Sequence, residues 1–416
     1  MKRALKLLVV AAAAAALFVP FLGPPAWHTA GFVQDVRADS AVVCKYTAED
    51  RSLELVVEDG ASKVATVTSS GRGRHEFRLT GLAPGRSYTW HVREAGSTEA
   101  LESGSLRTPP AEDRAPVRLA LVGDAGGQPW WGGMEGSLLV RTLVRARLLP
   151  AKSQVAAIGA AMAAAAPDFW VHAGDVIYPD PLTGSWIAGF FMPFEALASR
   201  SPCYVAIGNH DLMGDNGARV LDTFTLPTRP GTSDERMYSF AWGPVRVVVM
   251  DTNFTFDAAT PSLAYLKAAL SDATEPWVVV VGHHPILSAS RHRDRADLVE
   301  HLLPVLERAG VDLYVSGHDH TYQRLRTPGG MRLVVTGGGG KSLYDLRPHP
   351  AVEVMHSTYH WCLVDVVGPT LTLRALDLHG TAIDELVLRK GDDAAQLTSI
   401  RSFQPRRAER IEALLR

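Results

Sequence analysis

Five short hydrophobic runs in this chain end in glycine, and each glycine is followed at once by a residue able to ligate a metal. They are VRLALVGD, closing on Gly123-Asp124, FWVHAGD on Gly174-Asp175, CYVAIGN on Gly208-Asn209, WVVVVGH on Gly282-His283 and DLYVSGH on Gly317-His318. Apolar runs this short, rich in Val, Ile and Leu, read as buried strands. Glycine at a strand exit lets the chain turn sharply and bring its backbone close to a ligand. Residues at the carboxyl ends of neighbouring strands converge in open α/β sheets, where such folds place their sites. Two Asp, an Asn and two His delivered this way predict a binuclear metal site.

The chain has 416 residues and a net charge of −2. That length suits two or three domains. Without a long basic block no nucleic-acid surface is expected, and a small anionic substrate would have to be attracted by the metals. The three cysteines, Cys44, Cys203 and Cys362, do not make a disulfide framework. They read as buried free thiols, with a Cys203–Cys362 bridge as the alternative. Lys2, Arg3 and Lys6 precede an apolar stretch from Leu7 to Leu22. Residues 1–30 thus read as an export signal, which predicts a periplasmic, extracellular or surface-anchored protein. An uncleaved membrane anchor is the alternative, although Pro20, Pro24 and Pro25 argue against a straight spanning helix. No oligomer interface is legible.

Residues 31–110 are all-β text. Alternating segments at Ser40–Tyr46, Ser52–Glu58, Lys63–Thr68, Glu76–Leu79 and Tyr88–Arg93 predict a β-sandwich. Within it, LTGLAPGRSYTWHV (Leu79–Val92) resembles the end of a fibronectin type III domain, with Tyr88 as its corner tyrosine. A proline-rich linker, Thr108–Pro116, follows. Residues 117–390 alternate strands with helices expected at Gln154–Ala166, Pro261–Ala273 and Asp294–Ala309. Residues 391–416 form a polar tail. The segment 126–152 contains Trp130 and Trp131 and reads either as a lid or as a helix packed on the core. As a lid it would favour an aromatic or lipidic substrate.

In order, the ligand-bearing segments are GDAG (Gly123–Gly126), GDVIY (Gly174–Tyr178), GNHD (Gly208–Asp211), VVGHHP (Val280–Pro285) and GHDHTYQR (Gly317–Arg324). This set resembles the metallophosphoesterases (the calcineurin-like phosphoesterase superfamily), and within them the purple acid phosphatases, whose mark is the tyrosine at Tyr178. The resemblance implies an α/β four-layer (α-β-β-α) domain. It also implies one metal on Asp124, Tyr178, His320 and a shared Asp175, and a second on Asn209, His283, His318 and the same Asp175. Two carboxylates and a phenolate suit Fe(III), whereas two imidazoles, an amide and a shared carboxylate suit a divalent ion, Zn, Mn or Fe. The implied reaction is hydrolysis of phosphate monoesters by in-line attack of a metal-bound hydroxide, at acid pH. His210 and His292 match substrate-facing histidines of the family and would hold phosphate and protonate the leaving oxygen. A phosphodiesterase acting on nucleotides or lipid headgroups is the alternative. A non-catalytic surface-binding protein with a relic site fits less well, because all seven ligand positions are filled. His172, His284 and His360 read as structural, Tyr322 and Arg324 as support beneath the metal histidines, and Gly337–Gly340 as a turn near the pocket.

Overall fold

The computed structural model describes residues 29–390, apart from residues 113, 132–133, 135–137, 147, 150–151 and 230. The apolar N-terminal segment and the tail 391–416 therefore lie outside the described residues. Among the described residues no helix is long and apolar enough to cross a membrane.

The N-terminal part is all-β, as expected. Its strands are β1 (Phe32–Gln34), β2 (Ser40–Asp59), β3 (Ser62–Thr80), β4 (Ser87–Glu94) and β5 (Glu102–Arg107). Four of the short strands expected from alternation are two long ones here. β2 runs unbroken for 20 residues and pairs along nearly its whole length with β3. The polar cluster at Asp50-Arg51 and the glycines Gly71 and Gly73 make an irregularity in the ladder instead of turns. The register shifts between Thr47 and Arg51, and both glycines take positive φ. On its other edge β2 pairs first with β1 and then, past the irregularity, with β4, so the five strands are joined in one sheet where a sandwich of two was expected. Tyr88 is buried, and its hydroxyl accepts from Ala83 N–H at 2.8 Å. This is the corner tie expected of it.

The following strands are β6 (Val117–Val122), β7 (Phe169–His172), β8 (Cys203–Val205), β9 (Tyr238–Trp242), β10 (Val245–Val249), β11 (Trp277–Val281), β12 (Leu313–Ser316), β13 (Tyr322–Arg326), β14 (Arg332–Thr336), β15 (Val352–His356), β16 (His360–Val367), β17 (Thr370–Asp377) and β18 (Ala382–Arg389). They form a six-stranded sheet, β18-β17-β16-β6-β7-β8, and a seven-stranded sheet, β15-β13-β14-β12-β11-β10-β9. Alternation along β10 and β11 shows how the second sheet is covered. Val247, Val249, Val279 and Val281 enter the core shared with the six-stranded sheet. Val248, Val278 and Val280 enter a separate core with Leu263, Leu266 and Leu270 of helix Pro261–Ser271. On the far side of the six-stranded sheet, helix Ser153–Ala165 packs against helix Met192–Ala198. The closest approach there is at Gly159, where any Cβ would meet Pro193 O at 2.0 Å. The result is four layers, helix-sheet-sheet-helix.

The expected helix Asp294–Ala309 is shorter, running as a π turn over Leu298–Leu302 and then Leu303–Arg308. Pro304 has no N–H to give to an α-helical ladder, which fits a change of winding there. The three cysteines are free and buried.

The ligand strands are neighbours. β6, β7 and β8 are mutually parallel in one sheet, and β11 and β12 are parallel in the other. Their carboxyl ends therefore open at one end of the two-sheet core.

Candidate metal centre

Each ligand strand ends shortly before its glycine. Gly174 has φ +92°, and the ligand-type residues Asp124, Asp175 and His318 themselves take positive φ at +58°, +54° and +67°. Such backbone is costly for non-glycine residues and is found where the surroundings impose it, often at functional sites. Gly123 N–H donates to Thr336 O at 2.9 Å, tying the exit of β6 to that of β14 across the two sheets.

All seven expected ligand residues meet there. The Tyr178 hydroxyl lies 2.8 Å from Asp124 Oδ1, 2.8 Å from Asp175 Oδ2 and 3.1 Å from His320 Nε2. Asn209 Oδ1 lies 3.2 Å from His283 Nε2 and 2.9 Å from His318 Nδ1. Asp175 joins the two groups, since its Oδ1 is 3.4 Å from His283 Nε2. Asp124, Asp175 and His283 offer ligand atoms that all lie within 4.8 Å of one another.

The donor set fits cations. One phenolic proton cannot serve two carboxylates, and among the described residues neither Asp124 nor Asp175 is paired with Lys or Arg. Burial, then Asp124 and Asp175, push the Tyr178 hydroxyl well above the usual tyrosine range, so ionisation there requires positive charge. His283 Nδ1 faces Ala173 O at 2.8 Å and His320 Nδ1 faces Ser342 O at 2.7 Å. Donation to those carbonyls leaves each Nε2 lone pair turned toward the oxygens, the orientation that carbonyl partners impose on ligating imidazoles. Burial disfavours a charged His283, yet Asp175 and Asp124 outweigh it and raise its pKa to about 10. The position favours a positive charge. His318 is driven the other way by burial and by His283, which keeps its ring neutral, the form that ligates.

The two expected substrate-facing histidines flank this group. His210 Nδ1 faces Pro179 O at 2.6 Å, and its ring lies 4.5 Å from that of Tyr178. His292 stacks on His318 at 4.1 Å, with Nδ1 2.7 Å from the buried Asp319 Oδ1. Its Nε2 accepts from Arg291 Nε at 3.3 Å, so both ring nitrogens are engaged.

Sequence reasoning missed several supports. The Asp211 carboxylate is fully buried and accepts from the N–H groups of Asp175, Val176 and Gly208 at 2.8–2.9 Å, clamping two ligand loops together. Its place beside Asn209 in GNHD was the available signal. Asp319 and Ser288 behind His292 had no such signal, since only the folded loops bring them together. Tyr322 and Arg324 do not sit beneath the metal histidines. Both bind Asp384 on β18, at 2.6 Å each, and so tie the two sheets together. His172 and His360 are fully buried, and burial lowers their pKa to about 3 and about 4. His284 lies closer to the centre than a purely structural reading implies, its ring 4.5 Å from that of His318. The two tryptophans of 126–152 part company. Trp131 is buried with Val140 and Ala188, whereas Trp130 is 77% exposed.

Residues 117–322 match the family model described as Calcineurin-like phosphoesterase. Residues 117–322 are thus a calcineurin-like phosphoesterase domain, a metal-dependent hydrolase of phosphoric esters by class. Within that class the chain is purple acid phosphatase-like. It is 28% identical over 244 residues to purple acid phosphatase 7 of Arabidopsis thaliana, covering 49% of this chain and 74% of that one. It is also 28% identical over 262 residues to tartrate-resistant acid phosphatase type 5 of Oryctolagus cuniculus, covering 56% and 77%. The fold matches a purple acid phosphatase from yellow lupin seeds (Lupinus luteus) with a TM-score of 0.73 at 17% identity, over 89% of this chain and 76% of that one.

Proposed function

We propose that the protein is an exported acid phosphatase that hydrolyses phosphate monoesters at a binuclear centre. The observation that carries this reading is the Tyr178 hydroxyl placed 2.8 Å from both Asp124 and Asp175. A phenol in that position suits a trivalent, oxygen-seeking ion. Asp124, Tyr178, His320 and Asp175 would hold Fe(III); Asn209, His283, His318 and the shared Asp175 would hold Zn, Mn or Fe(II). Bound there, such a pair neutralises phosphate charge and acidifies water for attack on phosphorus.

The chain's own residues do the rest. Asp211 fixes the Asp175 and Asn209 loops at one separation through its three backbone contacts. His210, with Nδ1 on Pro179 O, turns Nε2 away from that carbonyl and is free to hand a proton to the leaving oxygen. His292 is held by Asp319 at Nδ1 and by Arg291 at Nε2, so a phosphate oxygen would have to take the place of Arg291 at Nε2.

The test is a visible absorption spectrum with metal analysis on the same purified sample. A broad tyrosinate charge-transfer band with stoichiometric iron, lost in Tyr178→Phe, is expected, together with turnover of phosphomonoesters in acid. A colourless protein holding two divalent ions, unchanged after aerobic iron loading, would overturn the Fe(III) assignment and make diesters at neutral pH the substrates to assay.

A further inference from the structure

Three cations stand around the candidate centre with no carboxylate partner among the described residues. Lys341 Nζ lies 4.4 Å over the ring of Tyr178. Arg291 Cζ lies 4.4 Å over the ring of Tyr344, which itself stacks on His320 at 4.0 Å. Lys152 donates to Gly340 O at 3.0 Å, next to Lys341, and burial and Lys341 lower its pKa.

The placement is specific. Lys341 sits against the ring of Tyr178, a residue of the ligand set, and Arg291 against Tyr344, which stacks on His320, so each is held by an aromatic face at the ligand set. A phosphate gripped by the ligand residues would lie inside these cations. Their charge serves a second anion farther out. Arg291 is stacked by its face and gives Nε to His292, so its two terminal nitrogens are what remain for an oxyanion. Like charges held together with no counter-charge among the described residues, as at Lys152 and Lys341, are relieved when an anion binds.

We propose that Lys341, supported by Lys152, and Arg291 form a second anion subsite at the mouth of the centre. Its substrates are phosphate esters and anhydrides whose leaving group carries its own negative charge. This rests on the phosphatase reading above. In the reaction, water oxygen bonds to the terminal phosphorus and the bond from that phosphorus to the bridging oxygen breaks. The bridging oxygen takes the electron pair of the broken bond, one proton of the water ends on that oxygen and the other stays with the phosphate product, and the leaving group departs with its anionic group still held by the subsite. The Gly337–Gly340 segment, read from sequence as a turn, is what delivers Lys341 to this position.

The test compares kcat/KM of the holoenzyme for a nucleoside 5′-diphosphate and the matching 5′-monophosphate. Wild type is expected to favour the diphosphate about tenfold or more. Lys341→Gln and Arg291→Gln should each cut that ratio severalfold, and the double variant should bring it near one. A wild-type ratio near one, or a ratio that the variants leave unchanged, overturns the subsite. Binding of methylenediphosphonate against methylphosphonate, measured by calorimetry, gives the same ratio without turnover. If no ester is hydrolysed the phosphatase reading fails, and the diphosphonate ratio in wild type and variants still decides the subsite.

Discussion

His210 is the residue on which the chemistry can be tested most sharply. Its Nδ1 is committed to the Pro179 carbonyl, and the ring rests on Tyr178. A proton donor matters most when the leaving oxygen is basic. His210→Asn should lower kcat about 100-fold for an alkyl phosphate. The loss should shrink to a few-fold for an ester of an acidic phenol, whose oxygen leaves unprotonated. A steady-state series over leaving groups of graded acidity checks this, and an equal loss across the series would assign His210 to binding instead. Asp211 offers a second test, of position and not of chemistry. Its carboxylate accepts three backbone N–H groups. Asp211→Asn replaces one acceptor oxygen with an N–H₂ that faces backbone donors. Affinity for the metal pair should fall by roughly 10–100-fold, read as metal retained after dialysis, while the far-ultraviolet circular dichroism spectrum stays unchanged.

At the scale of elements, the strand exits decide the geometry, and Gly208 shows how little slack they have. A Cβ on Gly208 would meet Asp175 Oδ1 at 2.2 Å and Asp175 N at 2.3 Å, both part of the loop that must carry the bridging carboxylate. Gly208→Ala should therefore abolish binding of the metal pair, as seen by elemental analysis, at a cost in stability below that of a core deletion. These exits were legible in the sequence because a buried strand, a glycine and a ligand residue form a local pattern, repeated five times. Tyr178 and His320 were legible for the same reason, lying three and two residues beyond a strand-exit ligand. What was not legible depends on long-range pairing. The hairpin β2/β3 reads as four short strands because its irregular middle carries turn-like residues. The Asp319–His292 pair and the Arg291–Tyr344–His320 stack join loops far apart in sequence, and no local spacing encodes them. The tie from Tyr322 and Arg324 to Asp384 crosses between sheets, so sequence proximity to GHDH misdirected its reading.

Across the whole molecule, the N-terminal sheet and the phosphoesterase domain share one hydrophobic core and a polar seam. Gln34 Oε1 accepts from Thr225 N–H at 2.7 Å, Tyr204 donates to Val36 O at 3.1 Å and Arg74 donates to Asp222 O at 3.1 Å. Glu235 stands near this seam, under the influence of Arg74, Asp35 and Glu76. Burial raises its carboxyl from 4.5 to about 7, against the lowering effects of the Leu226 backbone contact and Arg74. The sign follows from proton linkage. Below about pH 4.5 the group is protonated in both folded and unfolded chains, and it imposes no penalty. As pH rises from there to about 7, the unfolded chain gives up this proton and the folded one keeps it, so stability falls. Above about 7 both are ionised and the penalty is constant. Glu235→Gln removes the charge in every state. Its melting temperature should match that of wild type near pH 4.5 and exceed it at pH 8, with the gap opening between those values. A gap of equal size at both ends would place the effect in packing instead of protonation. The contribution of this one group favours the seam in acid, the same direction as the acid activity proposed for the centre.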